Sequence, residues 1–101
     1  MTLSDEQREV LKLAIEIYGV GNQVDKCIEE MSELTKALLK HRQDPNVKTW
    51  SDVVEEIADV IIMCEQMGMI YGEQIVPESK GVKGIIEKKI KRLARRLHEE
   101  V

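Results

Sequence analysis

The sequence predicts an all-α protein: four helices in a bundle-like arrangement, forming one domain over residues 1–101. Three observations point there. The 101 residues include one Trp, two Tyr and no Phe, so the core must be built from Leu, Ile, Val, Met and Ala, a set that favours helices over a sandwich or barrel. Apolar residues recur at intervals of three and four along most of the chain, the periodicity of amphipathic helices. With 43% hydrophobic and 34% charged residues, two prolines and six glycines, the composition is that of a globular chain rather than a disordered or fibrous one.

The first helix is expected over about residues 4 to 18. Ser4 and Gln7 can form a capping box, after which Val10, Leu11, Ala14, Ile17 and Tyr18 follow at helical spacing until Gly19 and Gly21 stop the run. Asn22 is the expected cap of the second helix, in which Val24, Cys27, Ile28, Met31, Leu34, Thr35, Leu38 and Leu39 trace an apolar stripe reaching about Arg42. Asp44-Pro45-Asn46 reads as a turn. Thr49 and Asp52 then open a third helix that carries Val53, Val54, Ile57, Ala58, Val60, Ile61, Cys64 and Met67 and ends near Gly68 or Gly72. Pro77, Gly81 and Gly84 interrupt the chain before a last amphipathic helix marked by Ile85, Ile86, Ile90, Leu93, Ala94 and Leu97.

No run of about 18 apolar residues is present and the N-terminal residues lack a basic segment followed by an apolar one, so neither a membrane span nor a signal peptide is expected and a cytoplasmic location is. Cys27 and Cys64 fall at apolar helical positions and are expected to be buried thiols of a reducing compartment; two cysteines supply neither the number nor the spacing of a zinc site. A core of this size only just offsets the entropy of ordering the chain, which makes a homo-oligomer, a dimer or a tetramer, the expected state.

The net charge of −4 conceals a division. Residues 1–79 carry 7 Lys/Arg against 16 Asp/Glu, a net of −9, and residues 80–101 carry 8 against 3, a net of +5. The basic tail attracts phosphates in general, but no helix-turn-helix, zinc finger or base-stacking strand pattern accompanies it, so no nucleic-acid partner is expected.

The chemistry lies in the acidic half. The second helix contains Glu29-Glu30-Met31-Ser32-Glu33 and the third contains Glu55-Glu56-Ile57-Ala58-Asp59. Residues three or four apart share a helix face, so Glu30 projects with Glu33, and Glu56 with Asp59. Like charges at that spacing destabilise an isolated helix. If the two helices pack antiparallel across their short connection, the clusters face one another and bring about four carboxylates together. A hard divalent cation is their natural counter-ion, Mg²⁺ with Mn²⁺ as an alternative, and phosphate oxygens can complete its shell. No histidine joins either cluster, which argues against a di-iron or zinc centre. Glu is also a strong helix former, and a solvated acidic face is the structural alternative.

Glu-Glu-two residues-Glu, then Glu-two residues-Asp after 22 intervening residues (Glu29, Glu30, Glu33, then Glu56 and Asp59), resembles the all-α nucleoside triphosphate pyrophosphohydrolases. This MazG-like group also includes dimeric dUTPases and phosphoribosyl-ATP pyrophosphohydrolase. The resemblance spans roughly residues 22–99. It implies hydrolysis of a nucleoside triphosphate between its α and β phosphates, giving monophosphate and pyrophosphate, with the removal of unwanted nucleotides as the role. It implies metal ligation by Glu30, Glu33, Glu56 and Asp59, with Glu29 or Glu33 as a catalytic proton acceptor. It further implies phosphate contacts from Lys89 and Arg92 on the last helix, and a substrate pocket completed by neighbouring subunits.

Trp50, near the acidic motif, either stacks on a nucleobase or closes the core over the turn between the second and third helices. Tyr18 and Tyr71 are expected to be half-buried, and His41 and His98 to face solvent near helix C-termini. Two other readings stand beside triphosphate hydrolysis. One is phosphoribosyl-ATP hydrolysis at the same site. The other is a non-enzymatic helical interaction protein whose acidic and basic parts pair between subunits.

Overall fold

The computed structural model describes residues 3–72 and 81–100. Four helices make up these residues: α1 (Asp5–Tyr18), α2 (Val20–Gln43), α3 (Val47–Met67) and α4 (Val82–Glu100), with a π-helical turn over Gly68–Gly72 extending α3. No strand is present among the described residues. The expected all-α class and four helices are therefore observed. Pro77, expected as a break, lies outside the described residues, and Gly84 falls inside α4 rather than before it.

Local chemistry explains each helix start. Ser4 Oγ accepts from the Gln7 amide at 3.1 Å and Gln7 Oε1 accepts from the Ser4 amide at 2.9 Å, so two donors that the first turn would leave unmet are satisfied reciprocally. Asp5 and Glu6 add negative charge where the helix dipole favours it. Gly19 alone joins α1 to α2, with φ +92° and ψ 150°, a backbone state that suits glycine because it has no Cβ. The junction corrects the expected cap: with one linking residue, α2 begins at Val20. Asn22 lies in its first turn, where Nδ2 donates to the Tyr18 carbonyl oxygen at 2.8 Å. Likewise α3 opens earlier than Thr49. Asn46 is its cap, Oδ1 accepting from the Thr49 amide at 2.9 Å while Thr49 Oγ1 accepts from the Asn46 amide at 3.0 Å.

Helices α2 and α3 form an antiparallel hairpin, the dominant packing in the molecule. His41 of α2 meets Thr49 of α3, and Glu30, farther back along α2, meets Glu56 and Asp59, farther forward along α3. Helix α1 lies against both. Arg8 Nη1 is 3.0 Å from Glu65 Oε2, and the buried Gln66 donates through Nε2 to the Leu11 carbonyl oxygen at 3.3 Å. Cys27 is buried between the helices, but Cys64 is exposed, which corrects the expectation of two buried thiols. Burial first, and then the neighbouring Cys64, pushes the Cys27 thiol above the ordinary cysteine range.

The apolar interior is small. Only Cys27, Ala37 and Met63 are buried hydrophobic residues among those described. The chain exposes 8177 Å², against about 5,800 Å² expected for a folded monomer of this mass. Its radius of gyration is 16.6 Å, where a compact chain of about 100 residues measures about 13 Å. Large apolar side chains are exposed on every helix: Val10 and Ile17 on α1, Ile28 and Leu39 on α2, Val54 on α3, and Ile86, Ile90, Leu93 and Leu97 on α4. Helix α4 has the clearest amphipathic pattern yet has few neighbours in its own chain. Trp50, Tyr18 and Tyr71 are also each about 60% exposed (59%, 61% and 63%), so Trp50 does not close the core of this chain and the tyrosines are not half-buried. No described helix is long and apolar enough to cross a membrane.

Candidate metal centre

The hairpin register brings three carboxylates from two helices into one place. Glu30 on α2 and Glu56 and Asp59 on α3 each offer an oxygen, and the three lie within 4.8 Å of one another. The i,i+3 spacing of Glu56 and Asp59 puts both on the face that α3 turns to α2. Glu30 is held by Lys26 one turn back, Nζ to Oε1 at 3.7 Å, and its side chain is only 16% exposed.

Glu56 is the electrostatic centre of the group. Its Oε2 is buried and has no hydrogen-bond partner. Desolvation, followed by the negative charges of Asp59, Glu30, Glu33 and Glu55, holds its carboxyl above the usual glutamate range. A buried acceptor without a donor is costly in a folded protein. A divalent cation removes that cost and the mutual repulsion together. The donors are all carboxylate oxygens, the set suited to Mg²⁺, Mn²⁺ or Ca²⁺ rather than to zinc, so the residues fit such an ion.

Glu33 stands beside this trio. It adds its charge to Glu56 and borders, with Glu56, a cleft of about 140 Å³ between α2 and α3. Its own carboxylate is 3.5 Å from Lys36 Nζ. Glu29 is exposed and outside the three-carboxylate group. Lys89 and Arg92 line a different groove, on α4, with Ile85, Lys88, Lys91 and Arg95; no residue of α2 or α3 borders it. Within one chain the basic groove and the acidic cluster are thus separate features.

The remaining walls of the α2–α3 cleft are Lys36, Ala37, Lys40, Thr49 and Asp52. None was singled out as a site residue from sequence. The signal was present in the spacing: Lys36 and Lys40 follow Glu33 by three and seven residues, and Asp52 and Thr49 precede Glu56 by four and seven, so each set continues the same helix face. His41, expected in solvent, is instead partly buried at the cleft's end, its Nδ1 2.8 Å from Thr49 Oγ1. His98 is exposed as expected.

No protein-family model matches this chain, and no curated protein or solved structure does so either.

Proposed function

We propose that this protein is a Mg²⁺-dependent nucleoside triphosphate pyrophosphohydrolase, converting a (deoxy)nucleoside triphosphate to the monophosphate and pyrophosphate and clearing unwanted nucleotides in the cytoplasm. One observation carries this reading: carboxylates from two helices converge within 4.8 Å, and one of their oxygens is buried without a partner. Glu30, Glu56 and Asp59, joined by Glu33, would hold the ion, with Mn²⁺ as the alternative. When bound, such an ion neutralises phosphate oxygens and lowers the pKa of a coordinated water.

The chain's own residues supply the rest. Glu33 borders the cleft next to Glu56 while Glu29 lies outside the cluster, which favours Glu33 over Glu29 as the group that takes a proton from an attacking water. The exposed ring of Trp50 is available to stack on a base. Lys89 and Arg92 have no place at the acidic cluster of their own chain, so their role in holding phosphates requires a neighbouring copy.

That copy is part of the proposal. An excess of roughly 2,000 Å² of exposed surface over a monomer of this size is of the order that a subunit buries in an obligate assembly. The net −9 of residues 1–79 and +5 of residues 80–101 are complementary between copies. The same exposure favours a second reading, an assembling helical protein without catalysis. Phosphoribosyl-ATP hydrolysis shares the proposed site.

The deciding experiment measures pyrophosphate and monophosphate release from a panel of standard and modified nucleoside triphosphates and phosphoribosyl-ATP, with Mg²⁺, with Mn²⁺ and with chelator. Metal-dependent release that is lost in Asp59→Asn supports the hydrolase, and the preferred substrate names its class. A folded, assembled protein with no turnover on any of these favours the non-catalytic reading.

A further inference from the structure

We propose that the cleft running from Glu33 and Glu56 to Thr49 is a seat for two linked phosphate groups, gripped by Lys36 and Lys40, and that it binds inorganic pyrophosphate only when a divalent cation is present. This deepens the metal-centre reading and rests on it.

The cleft has a definite size and direction. At about 140 Å³ it is smaller than the ~300–1,000 Å³ of sites that enclose a whole small ligand, so a nucleoside must lie outside it while phosphates fit within. One end opens onto the carboxylate cluster through Glu56. Farther along, the cleft is lined by Thr49, whose hydroxyl is already committed to His41 Nδ1 at 2.8 Å, to the Asn46 amide at 3.0 Å and to the Asn46 and Asp44 carbonyl oxygens at 3.1 and 3.2 Å. The donors left for a ligand are the two ammonium groups. Lys36 is held only by a 3.5 Å contact with Glu33, at a side-chain exposure of 67%, and among the described residues Lys40 pairs with no carboxylate.

Helix geometry aims both lysines at the metal end. Lys40 is seven residues beyond Glu33, about 10 Å along the axis. Helical side chains lean toward the N-terminus of their helix, which on α2 is the direction of Glu33 and Glu30. A long Lys40 side chain therefore spans much of the gap to a phosphate resting against the acidic cluster. Lys36 lies one turn nearer. Ala37 between them keeps the floor low.

Charge makes the seat conditional. Glu30, Glu33, Asp52, Glu56 and Asp59 surround the cleft or its mouth; Lys26 offsets Glu30 at 3.7 Å and Lys48 offsets Asp52 at 3.0 Å, which leaves Glu33, Glu56 and Asp59 against Lys36 and Lys40. Without a cation the carboxylates outnumber the lysines and repel a polyphosphate. With one bound, the balance shifts toward attraction and the lysines finish the neutralisation. The phosphates that occupy such a seat are the pair released as pyrophosphate, so product should compete with substrate there.

The test is calorimetric titration of inorganic pyrophosphate into the full chain, with Mn²⁺ and with chelator, alongside Mn²⁺ binding read by electron paramagnetic resonance. The variants are Lys40→Gln, Lys36→Gln, Lys40→Arg and, as a surface control, Lys12→Gln. The expected result is pyrophosphate binding with Mn²⁺ and none with chelator, weakened about tenfold or more by Lys40→Gln. Lys36→Gln should show a smaller loss, Lys40→Arg should restore most of the affinity, Lys12→Gln should match the parent, and Mn²⁺ affinity should be unchanged in all four. Pyrophosphate affinity unaffected by Lys40→Gln, or absent from a protein that does bind Mn²⁺, overturns the seat and leaves the metal centre standing. Failure to bind Mn²⁺ overturns both.

Discussion

His41 Nδ1 lies 2.8 Å from Thr49 Oγ1, and this contact between the last turns of α2 and the first turn of α3 sets the register of the hairpin. Thr49 also closes the capping box with Asn46, so one residue fixes both where α3 begins and how it faces α2. Three turns away that register decides that Glu30 meets Glu56 and Asp59 rather than an apolar step.

Removing the contact should loosen the hairpin. Thr49→Ala loses the cap hydrogen bond and the histidine contact and should cost about 1–2 kcal/mol. His41→Ala keeps the cap and should cost about 1 kcal/mol. Urea denaturation of both variants checks the order, and equal losses would show that the histidine contact contributes all of the effect.

Much of the architecture was legible in the sequence because the helices are amphipathic and punctuated. Ser4 with Gln7 marked the first start, and the spacing of the acidic motifs showed which carboxylates share a helix face, so that antiparallel packing of the two helices would bring them together. Other features were hidden. A single glycine with positive φ can join two helices without a further cap, so Asn22 looked like a start when it is the α1 carbonyl's partner. Periodicity shows that a stripe is apolar but not what covers it, and residues such as Ile17 and Ile90 are exposed in the single chain. Lys36 and Lys40 belong to no motif in the sequence, and only the packing of α3 against α2 places Thr49 and Asp52 with them around one cleft.

The crowding at Glu56 gives a pH signature. Its carboxyl titrates above the ordinary glutamate range in the fold, so the native state binds this proton more tightly than the unfolded chain does. Stability must then fall as pH rises from the unfolded pKa of about 4.3 through the raised native value. Glu56→Gln carries no such proton. In chelator, the parent protein should lose stability relative to Glu56→Gln over that interval, and added Mn²⁺ should reverse the difference near neutral pH. Parallel stability curves would mean that neither burial nor the neighbouring carboxylates raise the Glu56 carboxyl in the fold.

The exposed stripe of α4 should be covered in solution. Ile90→Glu and Leu93→Glu place charge in it and should shift the protein toward smaller species by sedimentation, with a loss of helical signal if α4 depends on its neighbour. A parent protein that sediments as a single chain of 11.6 kDa contradicts this.

If a second copy brings α4 to the acidic cluster, the catalytic contribution of Lys89 and Arg92 must cross between chains. Mixing inactive Asp59→Asn protein with inactive Arg92→Gln protein should then recover part of the activity, because some sites combine two intact halves. No recovery from subunits shown to exchange would place the phosphate contacts elsewhere.

The most direct measurement is Mn²⁺ binding by electron paramagnetic resonance to the parent protein, Glu56→Gln and Asp59→Asn, each first shown to keep its helical content. The expected result is a saturable site in the parent that is weakened at least tenfold in both variants, as loss of a coordinating carboxylate requires. A parent protein that leaves Mn²⁺ free, or variants that bind it as the parent does, would contradict the assignment of Glu30, Glu56 and Asp59 as a metal centre.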